Sequence, residues 1–132
     1  MILLDTDVCI EILRKNITVL NARQRHDEDV GISFVTVGEL YYGAQKSSNP
    51  EKNMNLVEEF LITINVIHSN HEIMKKFGIL KAHLKIHNQL IPDADILIAS
   101  TAFTTAQKLV TGNIKHFQRF PDLIIEDWIR NS

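Results

Sequence analysis

The sequence predicts an α/β protein with a three-layer α/β/α architecture and a mostly parallel sheet of four to five strands. Two observations lead to this fold class. Hydrophobic runs of strand length alternate with longer segments of helical periodicity, and such alternation favours a parallel sheet covered by helices on both faces. The 132 residues also contain no Pro/Gly/Ser-rich linker, and this length suits one compact core. We therefore predict a single domain over residues 1–132.

The first half of the chain is predicted to contain two buried strands and three helices. The strands cover residues 2–5 and 31–35, which are short hydrophobic runs. A short helix covers residues 8–14. Thr36 is a candidate N-cap for a helix that runs to about residue 45, and Pro50 opens the next helix because proline suits the first helical turn.

The second half is predicted to contain three more strands and two helices. The strands cover residues 64–67, 108–111 and 123–125. The helices cover residues 71–88 and 94–107. The first of these two helices is amphipathic, and its apolar face is formed by Ile73, Phe77, Leu80 and Leu84.

Composition limits the classes of function. The 14 Lys and Arg residues nearly balance the 16 Asp and Glu residues, so a nucleic-acid partner must be held by a local basic patch. Cys9 is the only cysteine, which excludes an internal disulfide or a cysteine-based zinc site within one chain. The opening Met-Ile-Leu-Leu-Asp reaches an acid after three apolar residues, too short for a signal sequence or membrane span. We expect a cytoplasmic protein with no membrane partner.

Four short polar motifs lie where a predicted strand ends or a helix begins. They are Asp5-Thr6-Asp7, Glu39, Asp93-Ala94-Asp95 and Asn113-Ile114-Lys115-His116. In an open α/β sheet, the ends of strands from distant parts of the chain meet at one edge, so these side chains are expected to converge. Carboxylate oxygens are the ligands that Mg²⁺ and similar cations prefer. The pattern therefore predicts a metal-dependent enzyme of phosphoryl transfer.

Each acid also has an ordinary structural interpretation. The acids of the first motif can be helix-start residues, favoured by the positive end of the helix dipole. Glu39 stands three residues after Thr36, the spacing of a capping box. Asp93 can be an N-cap. Residues two apart on a helix point about 200° from one another, so Asp95 is expected to face the site, with Asp93 reaching over from the cap.

The residues around these motifs resemble the PIN-domain ribonucleases, in particular the VapC toxins of bacterial type II toxin–antitoxin modules. Residues 4–10, 37–44, 92–99 and 111–117 are similar to the four motifs of the family, in the same order and spacing. The segment 120–128 is similar to the way these toxins end. The resemblance implies a PIN fold and an endoribonuclease that depends on Mg²⁺ or Mn²⁺.

The resemblance also implies roles for individual residues. Asp5, Glu39 and Asp95 are the expected catalytic acids and would hold one or two Mg²⁺ or Mn²⁺ ions. His116 stands where the family often has another acid, so Asp93 is a second candidate ligand that would replace the missing charge. The residues expected to orient the acids or water through hydrogen bonds are Thr6, Thr111 and Asn113.

The partners implied by the resemblance are an RNA substrate, with transfer RNA as the candidate, and a VapB-type antitoxin. A homodimer is also expected, with its interface among exposed apolar residues of the 51–86 region. Two other hypotheses stand beside this one. A haloacid-dehalogenase-like phosphatase would use Asp5 as nucleophile and Asp7 as acid/base, but it leaves Glu39 without a role. A degenerate, non-catalytic domain would only bind an antitoxin-like peptide.

Overall fold

A computed structural model describes residues 1–130, and within them a five-stranded sheet carries helices on both faces. The strands are β1 Ile2–Leu4, β2 Val30–Ser33, β3 Asn65–Ile67, β4 Lys108–Val110 and β5 Ile125–Glu126. The helices are α1 Thr6–Leu13, α2 Ile17–Gln24, α3 Phe34–Gln45, α4 Pro50–Ile62, α5 His71–Ile86, α6 Asp93–Thr105 and α7 Ile114–Phe117. The fold class predicted from the sequence is confirmed.

The strand order is β3-β2-β1-β4-β5, and every neighbouring pair is parallel. The chain builds outward from β1 on one side through β2 and β3, and then returns to add β4 and β5 on the other side. The strand order therefore reverses between β1 and β4. In open α/β sheets, the crevice at the carboxyl ends of the strands at such a reversal is where ligands bind.

The central strand β1 is buried on both faces because its successive side chains point in opposite directions. Ile2 and Leu4 pack with Val8 and Cys9 of α1 in one hydrophobic cluster, to which α2, α3 and α4 also contribute. Leu3 packs on the opposite face in a second cluster with α5 and α6. These two clusters lie between the sheet and the helices that cover each of its faces.

The junction between β2 and α3 differs from the prediction. Strand β2 ends at Ser33, and the Ser33 hydroxyl accepts a hydrogen bond from the backbone N–H of Val35 at 3.1 Å, so Ser33 is the N-cap of α3. The prediction of Thr36 as the N-cap is wrong because this earlier hydroxyl already satisfies the first turn. The capping box with Glu39 is wrong for the same reason, and the Glu39 side chain is left available for other contacts.

The start of α6 also differs from the prediction. The carbonyl of Pro92 accepts bonds from the backbone N–H groups of Asp95 and Ile96, so Pro92 is the N-cap, and Asp93 is the first helical residue. The prediction of Asp93 as the N-cap is therefore wrong. Helix α1 likewise begins at Thr6, two residues earlier than expected, and α7 was not predicted.

Helix α5 has the predicted amphipathic character. Ile73, Leu80 and Leu84 are buried, and Phe77 is half-buried in the cluster that Leu80 and Leu84 share with α6. Of the helices in residues 1–130, none combines the length and the hydropathy that crossing a membrane requires.

Candidate active site

The first and fourth motifs meet at the reversal of strand order. Asp5 follows β1 and Thr111 follows β4, and these strands pair with Leu4 opposite Val110. The backbone N–H of Asp5 donates to the carbonyl of Val110 at 2.9 Å. The Thr111 hydroxyl donates to Asp5 Oδ2 at 2.7 Å, although the two residues lie 106 positions apart in the chain.

The Asp5 carboxyl is only 5% exposed and serves two purposes. Its Oδ1 accepts from the backbone N–H of Thr6 at 2.8 Å and so caps α1, which is the ordinary structural interpretation of this acid. Burial, followed by the negative charge of Asp7 and then that of Asp95, nevertheless raises the pKa of Asp5 to about 7, against the lowering effect of its hydrogen bonds. The acids of the first and third motifs therefore repel one another across the site.

Glu39 joins the site through the hydroxyl of Thr6, which donates to Glu39 Oε1 at 2.6 Å. Thr36 Oγ1 lies 3.0 Å from the same hydroxyl oxygen. A threonine hydroxyl has one proton, and the Thr6 proton is engaged by the carboxylate, so the Thr36 hydroxyl supplies the proton of the second bond. Thr36 is thus a supporting residue that the sequence reasoning used only as a cap.

Asp95 is held by His116, the residue of α7 that stands where the family often has an acid. His116 Nδ1 lies 2.7 Å from Asp95 Oδ2, and because a carboxylate only accepts, the imidazole donates. The Asn113 side chain lies 3.0 Å from the same imidazole nitrogen, and the backbone N–H of Asn113 donates to Thr111 Oγ1 at 2.9 Å. Hydrogen bonds therefore connect Glu39 to Asp5 through Thr6, and Asp5 to Asn113 through Thr111, and the Asn113 side chain contacts the imidazole that donates to Asp95.

Asp93 is not part of these connections. Its side chain is 58% exposed and pairs with Lys81 of α5, with Asp93 Oδ1 2.9 Å from the Lys81 ammonium. As the first residue of α6, Asp93 points away from Asp95, which follows it by two positions. The structure brings together the other seven site residues named from the sequence: Asp5, Thr6, Glu39, Asp95, Thr111, Asn113 and His116.

Asp7 belongs to the first motif, but the sequence analysis gave it a role only as the acid/base of the alternative phosphatase. It lies in the first turn of α1, and its Oδ2 accepts from the backbone N–H of Gly112 at 2.9 Å. Its other oxygen, Oδ1, is buried and has no hydrogen-bond partner among residues 1–130. Burial raises the pKa of Asp7 above its ordinary value, although its hydrogen bonds oppose the rise. The available signal was its place two residues after Asp5.

The donor set of the site suits a divalent cation. Asp5, Glu39 and Asp95 present hard carboxylate oxygens, and a bound cation would offset the charges of Asp7 and Asp95, which add to burial in raising the pKa of Asp5. Across the part of the chain that the structure describes, no three acid, histidine or cysteine side chains are grouped closely enough to hold an ion as they stand. Each of the three carboxylates instead accepts from a neighbouring donor: Thr111, Thr6 or His116.

A groove lined by Glu39 lies between α1, α3 and α4, with a volume of about 580 Å³. Thr6 also lines this groove. The remainder is largely apolar, and two cations, Arg14 and Lys46, stand beside it. The groove could therefore receive a partner that reaches the Glu39 carboxylate.

Comparison with known proteins places these features in a family. The PIN domain profile matches residues 2–123. The chain is 34% identical to ribonuclease VapC2 of Haemophilus influenzae, covering 96% of this chain and 97% of that one. It is 32% identical to the tRNA(fMet)-specific endonuclease VapC of Salmonella typhimurium, covering 96% of each.

Solved structures agree with the sequence relatives. The structure of VapBC2 from Rickettsia felis bound to a DNA fragment from its promoter superimposes with a TM-score of 0.89 at 32% identity, covering 97% of this chain and 99% of that one. The DNA-bound VapBC of Salmonella typhimurium gives a TM-score of 0.90 at 31% identity, covering 96% and 97%. PIN-domain nucleases generally depend on a divalent metal ion. With the four motifs converged at one sheet edge, the chain belongs to the PIN-domain family and, within it, to the VapC ribonucleases.

Proposed function

We propose that this chain is an endoribonuclease toxin that cleaves RNA phosphodiester bonds with the help of Mg²⁺ or Mn²⁺ and is neutralised by a VapB-type antitoxin. The observation that carries the proposal is the hydrogen-bonded convergence of Asp5, Glu39 and Asp95 at the reversal of strand order. The proposal takes residues 1–132 as one catalytic domain that acts in the cytoplasm, where its RNA substrate lies.

Asp5, Glu39 and Asp95 are the residues that would hold the ion. Bound there, Mg²⁺ or Mn²⁺ would supply a hydroxide nucleophile at neutral pH and offset the charge that develops on the phosphate. Thr111 and Thr6 orient two of these carboxylates through their hydroxyls. In the same way His116 and Asn113 orient Asp95. Asp93 remains a second-rank ligand, which would first have to release Lys81.

The proposed substrate is transfer RNA, the substrate named for a relative that is 32% identical over 96% of this chain. Because the formal net charge is −2, the RNA backbone must be held locally. Arg14 and Lys46 stand beside the groove that contains Glu39, and we assign them to phosphate contacts.

The groove is also the proposed site for the antitoxin. Its apolar walls suit the apolar face of a peptide segment, and a cationic side chain of that segment would pair with Glu39. The proposed homodimer interface uses exposed apolar side chains of the 51–86 region, which include Ile62, Met74, Ile79 and Ile86.

The test is cleavage of RNA by the purified chain free of antitoxin, with EDTA, Mg²⁺ or Mn²⁺. We expect metal-dependent internal cuts by the wild type and by Asp122→Asn, an exposed control acid, and no cuts by Asp5→Asn. Asp93→Asn decides the second-rank ligand, since loss of cleavage and of Mn²⁺ affinity would add it to the site. Hydrolysis of a small phosphomonoester without RNA cleavage would favour the phosphatase, and inactivity in both assays would favour a binding module.

A further inference from the structure

The loop that follows β4 is held from both sides by residues outside the three metal-binding candidates. The backbone N–H of Gly112 donates to Asp7 Oδ2 at 2.9 Å. The carbonyl of the same residue accepts from Arg130 Nη1 at 2.8 Å. Both polar groups of one glycine are therefore engaged by charged side chains that lie far from it in the sequence.

The absence of a side chain at Gly112 permits this close approach. A Cβ atom at this position would lie 2.8 Å from Ile129 Cδ1 and 2.9 Å from Asp7 Oδ2, closer than carbon atoms normally come to either atom type. The C-terminal segment and the first turn of α1 thus enclose the glycine, and the loop between β4 and α7 has little room to shift.

Arg130 is itself held in place. Its Nη1 also donates to Asp127 Oδ2 at 3.1 Å. Asp127 is buried, and its Oδ1 accepts from the backbone N–H groups of Ile129 and Arg130 at 2.8 and 3.1 Å. Burial raises the pKa of the Asp127 carboxyl, but these hydrogen bonds outweigh it and the pKa lies below its ordinary value. The ion pair between Arg130 and Asp127 therefore holds the C-terminal segment against the loop.

The residues on each side of Gly112 are the ones that reach the catalytic acids. Thr111 donates to Asp5, and the Asn113 side chain contacts the imidazole that holds Asp95. The Oδ1 atom of Asp7 is buried without a hydrogen-bond partner among residues 1–130, which is energetically unfavourable.

We propose that Asp7 and Arg130 are positioning residues for RNA cleavage, which hold Gly112 by its two polar groups and thereby keep the Thr111 hydroxyl on Asp5. This inference rests on the proposed ribonuclease function. It assigns a role to the C-terminal segment 127–130, which otherwise lies outside the four motifs, and to the one acid of the first motif that has none.

The first test is a double-mutant cycle on kcat. Arg130→Met keeps the length of the side chain and removes its donors, and we expect kcat to fall on the order of tenfold with KM for RNA nearly unchanged. If Arg130 acts through Thr111, the double variant with Thr111→Val should be little slower than Thr111→Val alone. Arg119→Met is the matched control, since it removes bonds to the main-chain carbonyls of a different loop, those of Gln89 and Leu90.

The conservative variants of Asp7 provide the second test. Asp7→Asn retains an oxygen that can accept from Gly112, so it should keep most of kcat, whereas Asp7→Ala should match Arg130→Met. A rise in KM for Arg130→Met, with an effect that multiplies with that of Thr111→Val, would mean a direct RNA contact and would overturn the proposal.

Amide hydrogen exchange separates this inference from the proposed function. In Arg130→Met, the Gly112 and Asn113 amides should exchange on the order of tenfold faster, while the amides of β1 and β4 keep their wild-type rates. Unchanged exchange at Gly112 would overturn the positioning role, whether or not the wild type cleaves RNA. A wild type that does not cleave RNA would overturn the proposed function. In that case the exchange rates alone would show whether Arg130 holds the loop at Gly112.

Discussion

The buried Asp5 carboxyl should make the metal-free protein less stable as the pH rises towards neutrality. Burial first, and then the charges of Asp7 and Asp95, raise its pKa from the ordinary 3.8 to about 7 in the folded state. The folded state therefore holds a proton that the unfolded chain has already released, and this contribution to stability is complete below pH 3.8 and lost as the pH rises to about 7. Asp5→Asn, which resembles the protonated acid, should escape the loss.

The size of the effect follows from the two pKa values. One pKa unit corresponds to about 1.36 kcal/mol, so the rise from 3.8 to about 7 amounts to about 4 kcal/mol between the two ends of this pH range. The amide of Asp5→Asn has a single oxygen, which can accept the bond from Thr6 or the bond from Thr111, and its NH2 group only donates, so part of the gain is lost with the other bond. We therefore expect a stabilisation of about 2 to 4 kcal/mol above pH 7 and almost none near pH 4.

Urea unfolding in EDTA, followed by circular dichroism from about pH 4 to about pH 9, measures this difference directly. Adding Mg²⁺ or Mn²⁺ should restore the stability of the wild type at high pH and leave Asp5→Asn unaffected, because a bound cation offsets the carboxylate charge. Asp122→Asn removes an exposed carboxyl and serves as the control, with a pH profile parallel to that of the wild type. Parallel profiles for Asp5→Asn and the wild type would refute the reasoning.

Three further predictions concern neighbouring side chains. Thr6→Val removes the hydroxyl that donates to Glu39 and should lower kcat on the order of tenfold, measured by steady-state RNA cleavage. Gly112→Ala would place a Cβ 2.8 Å from Ile129 Cδ1 and should destabilise the fold by about 1 to 3 kcal/mol in urea unfolding. Burial raises the pKa of the Cys9 thiol well above its usual range, so labelling by a thiol reagent should proceed only at the rate of unfolding.

The positions of the inner strands β1 and β4 could be predicted because burial leaves a clear pattern in the sequence, whereas the last strand was predicted at 123–125 and β5 lies at Ile125–Glu126. β1 is an uninterrupted hydrophobic run and was placed within one residue of its observed end. The boundaries of helices were less accurate. Ser33 and Thr36 both have hydroxyls suited to an N-cap, and local sequence does not reveal which of the two begins α3.

The sequence indicated which residues form the site more fully than it indicated the contacts among them. The family resemblance implied Asp5, Glu39 and Asp95, and the structure brings their hydrogen-bonded neighbours Thr6, Thr111 and His116 together with them. That Asp93 turns to Lys81 depended on where α6 begins and on α5 lying beside it, and neither fact is visible in the motif itself. That these residues bind the metal ion is a prediction, which the cleavage and binding experiments test.

The sequence by itself determined the fold class, the four motifs and the family, because strand burial, helical periodicity and motif residues are local properties of the chain. The tertiary structure alone decided which polar groups meet. Thr111 reaches Asp5 across 106 positions and Gly112 reaches Asp7 across 105, since the strand order brings β4 against β1. Contacts of this kind depend on the order of strands in the sheet, and local sequence patterns contain no record of it.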